Sequence, residues 1–261
     1  MERYVKKCML LLVPSLLGTA VFYVLPYLRV IYYSLIENQF TKRFAGLDNY
    51  IRLLKNEYFR LALKNSMLLI LIAVPAMTAL AFAIAVLLTR QTGGWRLLRA
   101  AFFFPMLVPT ASVAAVWRML FEGNESVIPV YLLFLYKNIG LMVILFSAAF
   151  STLPREALEA ARLEGAHGFR LHLRITLPLI CPTLLFVVLL GIVYSFRIFR
   201  ESYQYFGTNY PPEHSYTLQY YMNNHFYKLN YQYLASGAVL TSLLIFAIVA
   251  VGIRLQRRVA L

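Results

Sequence analysis

A chain of 261 residues that is 61% hydrophobic and only 14% charged, with a mean hydropathy of +0.65, is too apolar for a soluble domain. Its formal net charge of +14 invites a nucleic-acid reading, but the basic residues fall in short clusters between long apolar runs. That distribution follows membrane topology and excludes nucleic acid as the partner.

The apolar runs reach the ~20 residues that cross a bilayer. Ser66–Leu88 and Tyr233–Ile253 contain no Asp, Glu, Lys or Arg. Counting outward from these gives six expected spans, at roughly 10–36, 63–89, 98–121, 128–150, 179–205 and 233–254. Each is expected to be helical, because a lone segment in lipid must satisfy its backbone internally. The expected class is an all-α integral membrane protein, read as one transmembrane domain over residues 1–261.

Taken in chain order, Met1–Lys7 resembles the basic start of a signal peptide. The apolar run behind it extends past Leu35, longer than a cleaved core of about 7–15 residues, and no A-x-A site closes it. It reads as an uncleaved first helix. With both termini placed in the cytoplasm, thirteen Lys and Arg face inward, at 3–7, 90–99, 155–174 and 254–258. Seven face outward, at 42–64 and 228, and the bias follows the positive-inside rule. Cys8 and Cys181 fall near the inner face, where thiols stay reduced.

Five basic residues lie within spans: Arg29, Arg118, Lys137, Arg197 and Arg200. An Arg or Lys at the bilayer centre costs about 2.5–3.5 kcal/mol on insertion scales, so such residues tend to face a wet cavity. Arg197, Arg200 and Glu201 sit in the outer third of the fifth span, flanked by Tyr194 and Tyr203, whose rings suit sugars. Arg197 and Glu201 are four apart and are expected to pair along the helix. The other reading is that these arginines snorkel to the outer interface. Lys137 and Asn138 are a second candidate pair in the fourth span, unless that helix starts later and leaves Lys137 at the interface. Arg118 reads as an interfacial anchor, and the Tyr-rich stretch 203–233 as an outer aromatic belt and loop.

The polar island between the fourth and fifth spans is distinctive. Pro154 suits the first turn of a helix, Arg155–Glu164 is rich in helix formers, and Gly165 is placed to end it in a left-handed conformation. A second short helix is expected through Phe169–Arg174, after which Pro178 is expected to hold Leu177 extended. By residue type alone, such a helix pair either caps the bundle or receives a partner. The arrangement Glu159-Ala160-Ala161, Gly165, Ile175-x-Leu177-Pro178 resembles, at all seven positions, the coupling-loop signature of permease subunits of binding-protein-dependent ATP-binding-cassette importers.

The resemblance extends along the chain and narrows to the oligosaccharide and glycerol-phosphate (maltose-type) permeases. Phe44-Ala-Gly-Leu-Asp-Asn-Tyr50 with Lys64-Asn-Ser66 is similar to their outer segment. Arg99-Ala-Ala-Phe-Phe-Phe-Pro105 with Trp117-Arg118 is similar to their third helix, and Leu177-Pro178-x3 before Pro182-Thr183 to the start of their fifth. Glu164 stands where the family has Asp, the outer connection Glu122–Pro129 is short, and Gly207-Thr-Asn-Tyr-Pro-Pro212 replaces a Gly-Gly-Pro motif. An acidic residue is common in the family where Arg200 stands, so a cation there would favour an anionic solute.

The resemblance implies the type I importer permease fold, with six transmembrane helices and a cytoplasmic coupling loop at 151–178. It implies a subunit of a prokaryotic plasma-membrane sugar importer that forms half of the pathway. It implies as partners a second permease subunit in a heterodimer, two ATPase subunits that use ATP-Mg, an extracytoplasmic solute-binding protein, and membrane lipid. No G-x4-G-K-[ST] loop occurs, so the chain is expected to bind no nucleotide cofactor and to have no catalytic residues. His167 and His172, five apart, are poorly spaced as ligands, and no metal is expected. The alternatives are an importer permease for a non-sugar or anionic solute, or a secondary transporter; no internal repeat supports the latter.

Overall fold

Among residues 2–88, 101–102 and 104–259, which the computed structural model describes, every regular element is helical apart from an antiparallel bridge between Ile36 and Phe44. In chain order, α1 (Glu2–Thr19), a π turn (Ala20–Val24) and α2 (Leu25–Ser34) form the first apolar segment. They are followed by α3 (Asp48–Lys55), α4 (Glu57–Leu88), α5 (Thr110–Leu120) and α6 (Ile128–Ser151). Then α7 (Arg155–Leu163) and α8 (Gly168–Leu171) lead through a second π turn (His172–Thr176) into α9 (Leu177–Leu179) and α10 (Cys181–Ser195). The last three helices are α11 (Phe199–Phe206), α12 (Leu218–Tyr227) and α13 (Tyr231–Val259). Arg90, Arg96, Arg99 and the first residues of the expected third span lie outside the described residues, as do the side chains of Arg3, Lys6, Lys7, Cys8, Arg155, Arg257 and Arg258.

Among the described residues, four helices are long and apolar enough to cross a bilayer: Leu11–Ser34, Glu57–Leu88, Ile128–Ser151 and Tyr231–Arg254. His172–Leu179 and Cys181–Ser195, bent by 78°, make a fifth if taken as one span. Two expected spans are therefore not continuous helices. The third is interrupted at Val108 and Pro109, because a proline lacks the N–H that would continue the ladder and disfavours an α conformation in the residue before it. The fifth is broken twice, at Ile180 (φ −98°, ψ 15°) and again at 196–198. At the first break Pro182 falls in the opening turn of α10, where its missing N–H goes unused.

Leu177 is another departure from expectation: it is helical (φ −62°, ψ −45°), not extended. The π turn before it is the reason. A proline ring clashes with the carbonyl four residues back, here that of Arg174, and the wider turn, closed by Leu177 N–H to His172 O, moves that carbonyl aside. The first segment repeats the device, with Leu25 N–H bonded to Ala20 O just ahead of Pro26.

The chain divides into two compact units, residues 1–60 with 222–244 and residues 61–221 with 245–261. In the first, the Phe44–Tyr50 motif folds back on the end of α2. Asn49 Nδ2 donates to Ser34 O at 2.9 Å and Ile36 O at 2.8 Å, and the Ser34 and Tyr50 hydroxyls lie 2.6 Å apart. In the second, α4 presents Leu69, Ala73, Met77, Ala81 and Ala85 at every fourth position, all fully buried. They pack with Phe134, Met142 and Phe146 of α6 and Val187 of α10. Small residues set how closely helices approach in lipid, and Gly191 of α10 is the tightest case. A Cβ there would lie 2.9 Å from Val74 Cγ1 and 3.2 Å from Met77 Cε.

The Tyr-rich stretch is not a uniform interfacial belt. Tyr205, Tyr216, Tyr220 and Tyr221 are buried and only Tyr210 and Tyr227 are largely exposed. Below α12, His225 stacks on Tyr233 with ring centroids 5.1 Å apart, and its Nδ1 lies 3.4 Å from Asn230 Nδ2. Burial, and secondarily the charge of Lys228, lowers its pKa from the ordinary 6.5.

Two outcomes are expected. Gly191→Ala overpacks the α4–α10 contact at a cost of about 1–3 kcal/mol; thermal melting of the purified protein falls, and Val74→Ala in the same chain recovers it. For His225 the unfolded state binds more protons between the lowered native pKa and 6.5. Its contribution is thus present above 6.5 and lost as pH falls through that window. Protection factors at 225–233, which are corrected for the pH dependence of intrinsic exchange, fall between pH 7.5 and 5, and fall less in His225→Gln.

Candidate functional site

Two places collect the polar residues that the sequence singles out. The first is the loop of α7 and α8. Pro154 is extended (φ −65°, ψ 122°) and precedes the helix instead of sitting in its first turn. Glu156 in the first turn and Arg162 in the last complement the helix dipole. Gly165 has φ +86°, and the bonds Gly165 N–H to Arg162 O (3.0 Å) and Ala166 N–H to Ala161 O (2.9 Å) form a Schellman motif.

One face of α7, formed by Glu156, Glu159, Ala160 and Leu163, is exposed, Leu163 at 90%. Ala161 turns the other way and is buried. The small pair Ala160-Ala161 therefore does not present one surface. Gly165 is exposed; Ile175 and Leu177 are half-buried, and Pro178 is exposed on the run into the fifth apolar segment. Leu177, Leu173 and His172 also border an apolar groove of about 630 Å³ against Pro75, Phe82 and Leu184.

The second place is a cavity of about 380 Å³ lined by Lys137, Asn138, Tyr194, Arg197, Arg200, Glu201 and residues Met106–Thr110. Six of the seven predicted pathway residues come together there. Tyr203 does not line it and stacks on Phe199 instead, with ring centroids 5.6 Å apart.

The geometry follows from the helix breaks. Arg197 sits in the turn between α10 and α11, held by Arg197 N–H to Tyr194 O (2.9 Å) and Ile198 N–H to Ser195 O (3.3 Å). Arg197 therefore lies in the turn and Glu201 in the helix after it, so the two are not four apart along one intact helix as expected. Glu201 lies in the first turn of α11, where the dipole favours a carboxylate, and is 8% exposed.

Lys137 is ten residues into a helix that starts at Ile128, so it is interior to the span and not at an interface. It is 8% exposed, and its Nζ donates to Pro105 O at 2.8 Å and to Val108 O. Asn138 Nδ2 donates to Phe134 O of its own helix at 2.8 Å.

Sequence reading missed the wall formed by Met106–Thr110. The signal was present: Pro105 and Pro109, four apart, interrupt an apolar span, and Pro-interrupted segments mark binding sites in transporters.

Above the cavity the connections are tied down. Tyr205 Oη donates to Phe121 O (3.2 Å) and Asn124 O (2.9 Å), which holds the short connection in place. Asn65 Nδ2 donates to Glu213 O (2.6 Å) and Tyr216 O (2.9 Å), and Ser66 Oγ accepts Leu218 N–H (3.0 Å). The Lys64-Asn65-Ser66 motif thus anchors the segment that follows α11.

A helical membrane chain with broken apolar helices around a charged cavity has the build of a solute permease. The chain belongs to the family described as binding-protein-dependent transport system inner membrane component, whose model matches residues 93–260. It is 27% identical over 193 residues to the arabinooligosaccharides transport system permease protein AraP of Halalkalibacterium halodurans. That match covers 64% of this chain and 61% of AraP, so the chain spans less than two thirds of that relative. It is 27% identical over 212 residues to the sn-glycerol-3-phosphate transport system permease protein UgpA of Escherichia coli O157:H7, covering 72% of each. Its fold matches a chain of a bacterial ABC transporter involved in import of the acidic polysaccharide alginate, with a TM-score of 0.80, 16% identity, and coverage of 98% of this chain and 96% of that one. A second match, with the same TM-score and 17% identity, is the alginate transporter in complex with an alginate pentasaccharide-bound periplasmic protein.

Proposed function

We propose that this chain is a transmembrane subunit of an ATP-driven sugar importer and that an acidic saccharide or sugar phosphate passes the cavity at Arg197 and Arg200. The observation that carries this reading is the convergence of Lys137, Arg197, Arg200 and Glu201 on one cavity at the breaks of two apolar segments. Charges at membrane depth are tolerated where they face such a space. Tyr194 offers a ring face beside the cations, as a saccharide needs. UgpA and the alginate transporter, named for anionic cargo, favour the same class.

In this reading the interrupted third and fifth segments count as spans, giving six, with both termini in the cytoplasm and the chain acting as one permease domain. A second permease completes the pathway, a solute-binding protein delivers cargo outside, and two ATPase subunits supply ATP-Mg chemistry that this chain lacks. The exposed face of α7 (Glu159, Ala160), with Gly165 at its end and Ile175, Leu177 and Pro178 beyond, receives the ATPase. Motion of that loop rocks the pair of permeases between inward- and outward-open states.

Two experiments test this. In proteoliposomes containing the co-purified complex, Arg200→Asp reduces uptake of acidic saccharides about tenfold or more and spares neutral ones; equal uptake of both by both proteins removes the anionic-solute reading. Gly165→Val places a β-branched residue at φ +86°, which strains the end of α7. ATP hydrolysis stimulated by the binding protein then falls together with uptake. Full stimulation with full uptake rules out a coupling role for this loop.

A further inference from the structure

We infer that Lys137 is a positioning residue: its amino group caps the break in the third apolar segment and so holds the Met106–Thr110 wall of the cavity in place. This assigns it a task other than meeting the solute. It rests on the proposed function for its transport readout but not for its structural one.

The argument begins with two carbonyls. In an unbroken helix Pro105 O would accept the N–H of residue 109, but residue 109 is proline and has none. Val108 O would accept the N–H of Ser112, but that N–H goes to Pro109 O at 3.1 Å. Each carbonyl is therefore left over by the break within an apolar segment, where such groups need a partner from the protein or from a wet cavity. The Lys137 Nζ supplies both bonds.

Basic side chains commonly bind the last carbonyls of their own helix. Here the cap comes from a neighbouring helix, across the gap between α6 and the helical residues 104–107. An ammonium has three N–H donors, so two of the three are committed to backbone. Arg197 and Arg200, by contrast, are exposed into the cavity. Its third donor is the most that Lys137 can offer a solute without releasing the carbonyls that shape the site. Recognition of the solute therefore falls mainly to the two arginines, and Lys137 sets where the wall stands.

The test places spin labels at Phe104 and Val116, both exposed and on opposite sides of the break, in the full chain with its co-purifying subunits in lipid nanodiscs. A straight helix would separate these positions by ~18 Å. With Lys137 present, one narrow distance distribution is expected. Lys137→Met broadens or shifts it. In a Pro109→Ala background the restored N–H satisfies Pro105 O, the distance moves towards the straight-helix value, and Lys137→Met has little further effect.

In uptake, Lys137→Met lowers the maximal rate for acidic and neutral saccharides alike by about tenfold, with KM nearly unchanged. An unchanged narrow distribution in Lys137→Met, with KM raised for acidic saccharides alone, overturns the proposal and makes Lys137 a ligand. If Lys137→Met does not yield folded protein, recovery of folded protein on adding Pro109→Ala supports the capping role, and failure to recover overturns it. If the complex proves not to carry saccharides at all, the distance measurements still decide the role of Lys137, so the two failures are distinguishable.

Discussion

In a bilayer the backbone has no water to fall back on, and that constraint governs this molecule more than any single contact. Each unsatisfied N–H or C=O in hydrocarbon costs several kcal/mol, about the size of a domain's whole net stability if a few accumulate. A span can therefore break only where side chains, a wider turn or a wet cavity take over the freed groups. The chain breaks at Val108–Pro109, at Ile180 and at 196–198. The first and last of these border the charged cavity. At the first, Lys137 reaches two freed carbonyls. At the last, tight turns through Tyr194 O and Ser195 O take up the slack, and the start of α11 brings a favourable dipole to Glu201. Broken helices and buried charge are thus parts of one arrangement.

The lower break of the fifth segment is of a different kind. No charge sits at Ile180, which is buried in the apolar core. Here the chain changes direction by 78° with Ile180 N–H bonded to Thr176 O (3.0 Å) and Leu184 N–H to Ile180 O (2.9 Å), while Pro178 is accommodated by a π turn and Pro182 by a helix start. The α7–α8 loop enters this bend through Leu171 and Thr176, both buried, and α7 ends in a fully bonded Schellman motif. The loop thus has hydrogen bonds or buried side chains at these joints, the stiffness that the proposed coupling role would need.

How much of this the sequence discloses depends on whether the governing rule is local. Gly165 was readable because a left-handed end follows from a glycine after a run of helix formers. The gathering of Asn138, Tyr194, Arg197, Arg200 and Glu201 was readable because charge at membrane depth has few places to go. Leu177 was misread because the rule for the residue before proline assumes an ordinary α turn behind it, and a π turn changes the clash. The spacing of Arg197 and Glu201 did not give a pair along one helix, because spacing by four means adjacency only within an intact helix and Arg197 lies in the turn before α11. Tyr203 looked equivalent to Tyr194 by position, yet the same turn sends it to stack on Phe199. The capping by Lys137 had no local signal, since it depends on which carbonyls a different helix leaves over.

The charge balance of the cavity carries one more step. By residue type, the lining sets one acidic side chain, Glu201, against three basic ones, Lys137, Arg197 and Arg200. A positive excess held at membrane depth is unfavourable unless water or an anion attends it. A site for neutral sugars gains nothing from that expense, since hydroxyl groups and ring faces are met as well by Tyr and Asn. The excess makes sense where the cargo brings the balancing charge itself, and the anion is then bound more firmly as surrounding water is displaced and the local dielectric falls. In the proposed function, with two donors of Lys137 taken by the backbone, the solute meets mainly Arg197 and Arg200 in a cavity that Glu201 also lines. Guanidinium forks match carboxylate and phosphate oxygens in pairs, and in the proposed function Glu201 would weaken the hold on an anion enough for release. A conduit has to let go of what it recognises, and a single buried carboxylate among cations is a direct way to build that in.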